Sequence, residues 1–252
     1  MNKRKVIIDP LSTSSLFLEL RVRDNPLSNA TGFIVKNGDL SYLITNWHVL
    51  SGRSSQSNQI NSPTGAVPDS VRIAHHGTML GTWTFVDEPI LNDDGHPLWV
   101  EHPRGREIDV VALPITQVPD QITLHPFDLS LSDTDMIPQV AMPVSIIGFP
   151  LGLAVAGAFP IWKTGHIASD PDIDYQGIPA FIIDATTRGG MSGSPVVLRM
   201  SGGFLTREGH MIMASGPRTR FLGVYSGRIH IDSEIGIVWR PFLIQEILGR
   251  NS

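Results

Sequence analysis

Apolar residues along this chain come in short bursts, separated almost everywhere by Gly, Pro, Asn, Asp or Ser. The bursts LFLELRV (16–22), TGFIV (31–35), YLIT (42–45), VRIA (71–74), GTWTFV (81–86) and DVVALPI (109–115) have strand length and are rich in Val, Ile, Phe and Tyr. After a gap the pattern resumes with PVSIIGF (143–149), IWKTGHI (161–167), AFIID (180–184), PVVLRM (195–200), HMIMA (210–214), FLGVYSG (221–227) and IGIVW (235–239). Half-buried strands alternate apolar and polar positions, and fully buried strands read as short continuous apolar runs, so this is the pattern of an all-β protein. One helix is predicted, at the end: Pro241 suits a first-turn position, Phe242, Ile244, Ile247 and Leu248 build an apolar face, and Gly249 suits the stop. Residues 117–140, rich in Pro, Asp and Ser, lack regular alternation and read as a linker between two groups of strands, 1–116 and 141–252.

The stretch VSIIGFPLGLAVAGAFPIW (144–162) carries no charge and has the length of a membrane span. Pro150 and Pro160 would break a helix there, so a buried strand, a turn over 148–152 and a second strand near 161–167 are expected instead, with no membrane association. The basic start MNKRK is followed by only Val6 to Ile8 before Asp9 and Pro10, which is too short for the apolar region of a signal peptide. With 252 residues, 17% of them charged, and a formal net charge of -5, the chain is ordinary globular material with no general attraction for nucleic acid. There is no cysteine, hence no disulfide, thiolate nucleophile or Cys-based zinc site, and a cytoplasmic location is expected.

The most informative local feature is RGGMSGSPVV (188–197), which sets Ser192 and Ser194 among glycines just ahead of a strand. A serine nucleophile needs a base, a group to orient that base and donors for the developing oxyanion. In YLITNWHVL an apolar strand delivers His48 just past its end, and in REIDVVALP Asp109 stands at the threshold of a core strand. A buried carboxylate requires hydrogen bonds or charge pairing; a histidine N–H would satisfy it and fix the imidazole tautomer, whereas Arg104 or Arg106 would satisfy it structurally. The order His48, Asp109, Ser192 is one in which such triads occur. His75 and His76, being adjacent on a strand, are expected on opposite faces, and together with His96, His102, His125 and His210 they read as surface residues. No metal-ligand spacing is present, NDDGH (92–96) reads as a hairpin turn, and no metal or cofactor is called for.

Taken together these blocks resemble the trypsin-like serine peptidases of the chymotrypsin fold, especially their cysteine-poor bacterial branch that includes the high-temperature-requirement proteases. TGFIV with YLITNWHVL is similar to that branch's first strand and T-N-x-H-V block, IDVVALP to its Asp-bearing strand, IIGFPLG to its I-G-x-P-x-G turn, KTGHIAS to the strand pair that follows, and GGMSGSPVV to its G-x-S-G-G-P block with Ser194 in place of a glycine. The resemblance implies two six-stranded antiparallel β-barrels with a C-terminal α-helix. His48 and Asp109 would lie on the first barrel and Ser192 on the second, with the N–H groups of Gly190 and Ser192 as the oxyanion hole. It implies hydrolysis of peptide bonds in protein or peptide substrates through an acyl-enzyme. Gly190 and Gly193 permit the tight turn that exposes Ser192, while Pro195 biases Ser194 toward the following strand. The pocket for the residue before the scissile bond would have Thr186 at its base, with Thr187, Tyr225 and Arg228 nearby and Ser226 on the segment VYSGR that pairs with substrate. No carboxylate falls at Thr186, so Lys and Arg are disfavoured and small, polar or acidic side chains are preferred. The alternative reading is a non-catalytic or latent peptide-binding module on the same fold. Oligomeric state is left open.

Overall fold

The computed structural model describes residues 6–206, 208–230 and 232–249. The basic start, residues 1–5, lies outside them. After a short helix α1 (Pro10–Ser14), strands β1 (Ser15–Val22), β2 (Asn25–Asn37), β3 (Leu40–Thr45), β4 (Ser70–His76), β5 (Trp83–Pro89), β6 (Val100–Glu101) and β7 (Val111–Pro114) form one sheet, in the order β5-β4-β1-β2-β3-β7-β6. Helix α2 (Trp47–Ser51) follows β3 directly. Strands β8 (Pro143–Gly148), β9 (Ile161–Ile167), β10 (Ala180–Asp184), β11 (Pro195–Leu205), β12 (Met211–Arg228) and β13 (Ile235–Trp239) form the second sheet, in the order β10-β13-β12-β11-β8-β9. Its outer strands meet again only through the pairs Ile183 with Ile167 and Asp184 with His166.

The expectation of two six-stranded barrels is therefore corrected. The first sheet has seven strands, and its edge strands β5 and β6 do not pair with each other. The reason lies between residues 90 and 110, which are spent on turns and a short 3-10 helix and leave β6 with only two residues, too few to reach the far edge. In the second sheet, HMIMA and FLGVYSG prove to be parts of one long strand, β12, paired to β11 with register shifts that bend the hairpin.

Among the described residues, three cores hold these sheets. Leu16, Leu18 and Leu20 of β1 pack with Ile34, Leu43 and Ile73 inside the first, and Ile146, Ile183, Val196, Leu198 and Val238 fill the second. The third lies between the sheets: Phe33, Ile44 and Val110 from one side meet Ile147, Val197 and Val224 from the other. Each such fully buried side chain contributes about 1.5–3 kcal/mol relative to exposure. Phe127, from the connecting segment, wedges between Phe33 and Phe221 with ring centroids 5.1 and 4.7 Å away. This packing fixes the geometry between β3, which ends beside His48, and β11, which begins after Ser192.

Helix α3 (Phe242–Ile247) closes the chain, with Leu243, Ile244 and Ile247 buried and Phe242, expected inside, exposed. His102 is buried and bonds Glu246 of α3 at 2.7 Å. The uncharged stretch 144–162 forms β8, a turn over Pro150–Gly152 and the start of β9, and no helix among the described residues is long and apolar enough to cross a membrane. At NDDGH the Asn92 side chain accepts the N–H groups of Asp94 and His96, closing a turn between the bridged Leu91 and Pro97.

The expectation for His75 and His76 is also corrected, because both are buried rather than at the surface. They lie on opposite faces, but Thr123 of the linker bonds the His76 carbonyl, and Phe159 and His125 pack on its ring at 5.5 and 5.2 Å. Burial first, then a neighbouring imidazole, pushes each down to about 4 from 6.5. A histidine whose folded value is depressed stabilises the fold fully above its unfolded value, and that stability is lost as the pH falls from 6.5 toward 4. At pH 5 the loss is roughly 2 kcal/mol per ring, so the melting temperature should drop by about 10 °C between pH 7 and pH 5. In the His75→Gln/His76→Phe double variant this slope should flatten; an unchanged slope would assign the acid sensitivity elsewhere.

Candidate active site

Strand β3 is buried through Leu43, Ile44 and Thr45 and stops at Asn46, whose extended backbone starts helix α2. Asn46 does not cap that helix with its side chain; its Nδ2 donates to the carbonyl of Asp109 at 2.6 Å. The junction of β3 with α2 is thereby tied to the segment that leads into β7. His48 follows two residues on, half-buried, and reaches back toward Asp109, which is 1% exposed. Asp109 Oδ1 accepts the backbone N–H of His48 at 2.8 Å, and Oδ2 lies 2.7 Å from His48 Nδ1. An ionised carboxylate can only accept, so Nδ1 carries the proton and Nε2 presents its lone pair.

That lone pair faces Ser192, whose Oγ is 3.0 Å from Nε2. The arginines that offered a structural alternative are engaged elsewhere: Arg104 with Glu107 at 3.3 Å, and Arg106 with the carbonyls of Ser55 and Gln56. Ser226 Oγ also donates to Asp109 Oδ2. The pairing of β12 with β13 shifts register between Tyr225 and Gly227, and this bulge re-aims Ser226 toward the carboxylate. For His48, burial disfavours the charged ring, but the Asp109 charge and its hydrogen bond together outweigh burial and hold the imidazole above 6.5.

The loop that carries Ser192 takes its shape from two left-handed glycines, Gly190 (φ 92) and Gly193 (φ 84). A side chain at Gly190 would collide with the Phe149 carbonyl, and one at Gly193 with Thr31 and Thr45. Gly193 N–H donates to the Tyr225 carbonyl at 2.8 Å and Ser194 N–H to Met191 at 3.0 Å, while the N–H groups of Gly190 and Ser192 have no protein acceptor among the described residues. Ser194 is fully buried, and its hydroxyl is likewise without a partner.

Of the remaining residues singled out from the sequence, Ser226 and Arg228 line one cleft of about 590 Å³ with His48, Asp109 and Ser192. Thr186 is exposed, whereas Thr187 is 1% exposed and joins its hydroxyl to that of Tyr225. Arg188 pairs with Glu234 at 3.4 Å. Asn46 and Thr31 escaped the sequence reading as site residues, although both sit inside the quoted blocks TGFIV and YLITNWHVL.

A hydroxyl aligned on a neutral imidazole that is itself oriented by a buried carboxylate defines a nucleophilic serine hydrolase. The chain belongs to the trypsin-like peptidase domain family, whose model matches residues 30–204, and it is a serine peptidase with His48, Asp109 and Ser192 as its triad. No curated protein matches the chain. Among solved structures it is similar to a serine endoprotease from Yersinia pestis, with 14% identity, TM-score 0.54, and coverage of 98% of this chain and 67% of that one. It is also similar to the thermostable serine protease AL20 from an extremophilic microorganism, with 14% identity, TM-score 0.53, and coverage of 95% and 97%. The active form of the Rv3671c protease of M. tuberculosis is a third, with 16% identity, TM-score 0.52, and coverage of 95% and 81%. These likenesses show a shared fold.

Proposed function

We propose that this peptidase cleaves extended segments of polypeptide after a small, non-basic side chain, with the N–H groups of Gly190 and Ser192 binding the oxyanion. The observation that carries the specificity is the bond between the Tyr225 and Thr187 hydroxyls, which sets a buried aromatic ring across the segments expected to wall the pocket. Gly236 lies against the same ring, so depth is lost on that side as well. Burying a substrate Lys or Arg without a counter-ion costs several kcal/mol, and the nearby carboxylate, Glu234, is already paired with Arg188. The same pairing engages Arg188, but Arg228 also lines the cleft, so the charges here weigh against Lys and Arg rather than against an acidic side chain.

The resting hydroxyl of Ser192 has two acceptors, His48 Nε2 at 3.0 Å and the Ser226 carbonyl at 2.7 Å. An extended substrate pairing with Ser226 to Arg228 would place its own N–H on that carbonyl, leaving His48 as the acceptor when attack begins. His48 then takes the proton, Ser192 attacks the carbonyl carbon, and the imidazolium delivers the proton to the leaving amine. A cytoplasmic setting rests on the cysteine-free sequence, whose folding draws on no disulfide.

Cleavage-site mapping by mass spectrometry on an unfolded protein tests this reading. Most cuts are expected after Ala, Ser, Thr or Val. A majority after Lys or Arg would refute the pocket as described, while leaving the triad untouched.

A further inference from the structure

Thr31 lies on β2 of the first sheet, is completely buried, and spends its polar atoms on the nucleophile loop of the second. Its N–H donates to the Ser192 carbonyl at 2.9 Å, and its carbonyl accepts from Thr45 Oγ at 2.8 Å. Its own hydroxyl does two things at once: it donates to the Gly190 carbonyl at 2.8 Å and accepts the Phe149 N–H at 3.2 Å. Two residues beyond Phe149, the N–H of Leu151 donates to the Gly189 carbonyl at 2.6 Å.

These bonds grip Gly190 from both sides. In a trans peptide the C=O and N–H point in opposite directions, so fixing the Gly189 carbonyl on Leu151 turns the Gly190 N–H the other way, away from the turn at Pro150–Gly152. The Thr31 hydroxyl holds the next carbonyl, that of Gly190 itself, and through Phe149 it also holds the turn that brings Leu151 into place. Glycine moves between left- and right-handed conformations at little steric cost, so a Gly-Gly pair has no strong preference of its own for the conformer seen here. Hydrogen bonds from outside the loop must choose it.

We propose that the Thr31 hydroxyl is a positioning group for catalysis, setting the orientation of the Gly190 peptide and hence the oxyanion hole. The inference rests on the reading of Gly190 N–H as an oxyanion donor. It makes the first sheet, which supplies the base, also responsible for the electrophilic half of the site.

The test compares Thr31→Val, which keeps the shape and loses the hydroxyl, with Thr31→Ser, which keeps the hydroxyl. Losing one oxyanion donor costs about 10²–10³ in kcat, so Thr31→Val should lower kcat by about 100-fold with KM changed less than about threefold. Its affinity for a peptide aldehyde, which forms an oxyanion on Ser192, should fall in parallel, while its affinity for the matching peptide alcohol stays unchanged. Thr31→Ser should restore both values to within about threefold of the parent. A folded Thr31→Val with parental kcat would overturn the proposal, as would a Ser variant as impaired as Val. Should Thr31→Val fail to fold, Thr31→Cys carries the same expectation; if neither folds, the hydroxyl serves the fold and the proposal fails. A parent enzyme that binds the aldehyde no better than the alcohol would instead refute the oxyanion reading itself.

Discussion

Ser192→Ala is expected to abolish covalent labelling by a fluorophosphonate and to lower kcat by several orders of magnitude, on the order of 10⁶ as for other triad nucleophiles. The Oγ that it removes is the atom held 3.0 Å from His48 Nε2, and among the described residues no other hydroxyl bonds that nitrogen. Ser194→Ala is the matched control, two residues away in the same glycine-rich loop. Its hydroxyl is buried against Gly148 with no hydrogen-bond partner, and its backbone bonds to Met191 and Tyr225 survive the substitution. Removing an unpartnered buried hydroxyl does not incur the loss of a satisfied one, so the Ser194→Ala enzyme should fold and retain most of its activity. Loss confined to Ser194→Ala would reverse the assignment of the two serines, and equal loss in both would show that the loop rather than the hydroxyl was disturbed.

The triad could be read from the sequence because each member sits where local chemistry is restrictive. His48 follows an apolar strand, Asp109 precedes one, and Ser192 is bracketed by glycines whose left-handed backbone few other residues adopt. Strand positions were legible for a similar reason, since a period of two leaves a mark in any segment of four or more residues. Strand β6 left none, being two residues long. The burial of His76 was hidden too, because what covers the outer face of β4 comes from residues 122–125 and from Phe159, far along the chain, whereas His75 shares its face with the core residues Val71 and Ile73. The pocket proposed for the residue before the scissile bond could not be placed by counting. Burial alternates along Ala185, Thr186, Thr187 and Arg188, so a shift of one residue decides which threonine faces inward. Such a register is set by pairing partners and cannot be counted from the nucleophile alone. The two hydrogen bonds of the Thr31 hydroxyl join residues more than a hundred positions apart, which no local pattern announces.

Asp109→Asn should leave the fold intact and lower turnover by about four orders of magnitude near neutral pH. The donors around the carboxylate dictate this outcome. One side chain oxygen is held by the backbone N–H of His48 at 2.8 Å, a donor that cannot change its role. The amide oxygen of the substituted side chain must therefore stay there, which puts its NH₂ where Oδ2 now faces His48 Nδ1. Two donors cannot face each other, so the imidazole takes its other tautomer, with the proton on Nε2 directed at Ser192 and no lone pair left to receive the hydroxyl proton. Ser226, whose hydroxyl can rotate, adapts without loss. The substitution also changes the pH profile in a definite direction. In the parent, turnover requires neutral His48 and should rise with pH through a midpoint above 6.5, because the charge of Asp109 and its hydrogen bond outweigh the effect of burial. In Asp109→Asn both supports are gone and burial remains, so the residual activity should titrate with a midpoint below 6.5. Stability should change little, since the Asn46 bond is made to the backbone carbonyl of residue 109 and survives. An Asn variant that keeps parental turnover, together with a parental rate that stays flat from about pH 5 to 8, would show that Asp109 does not orient His48.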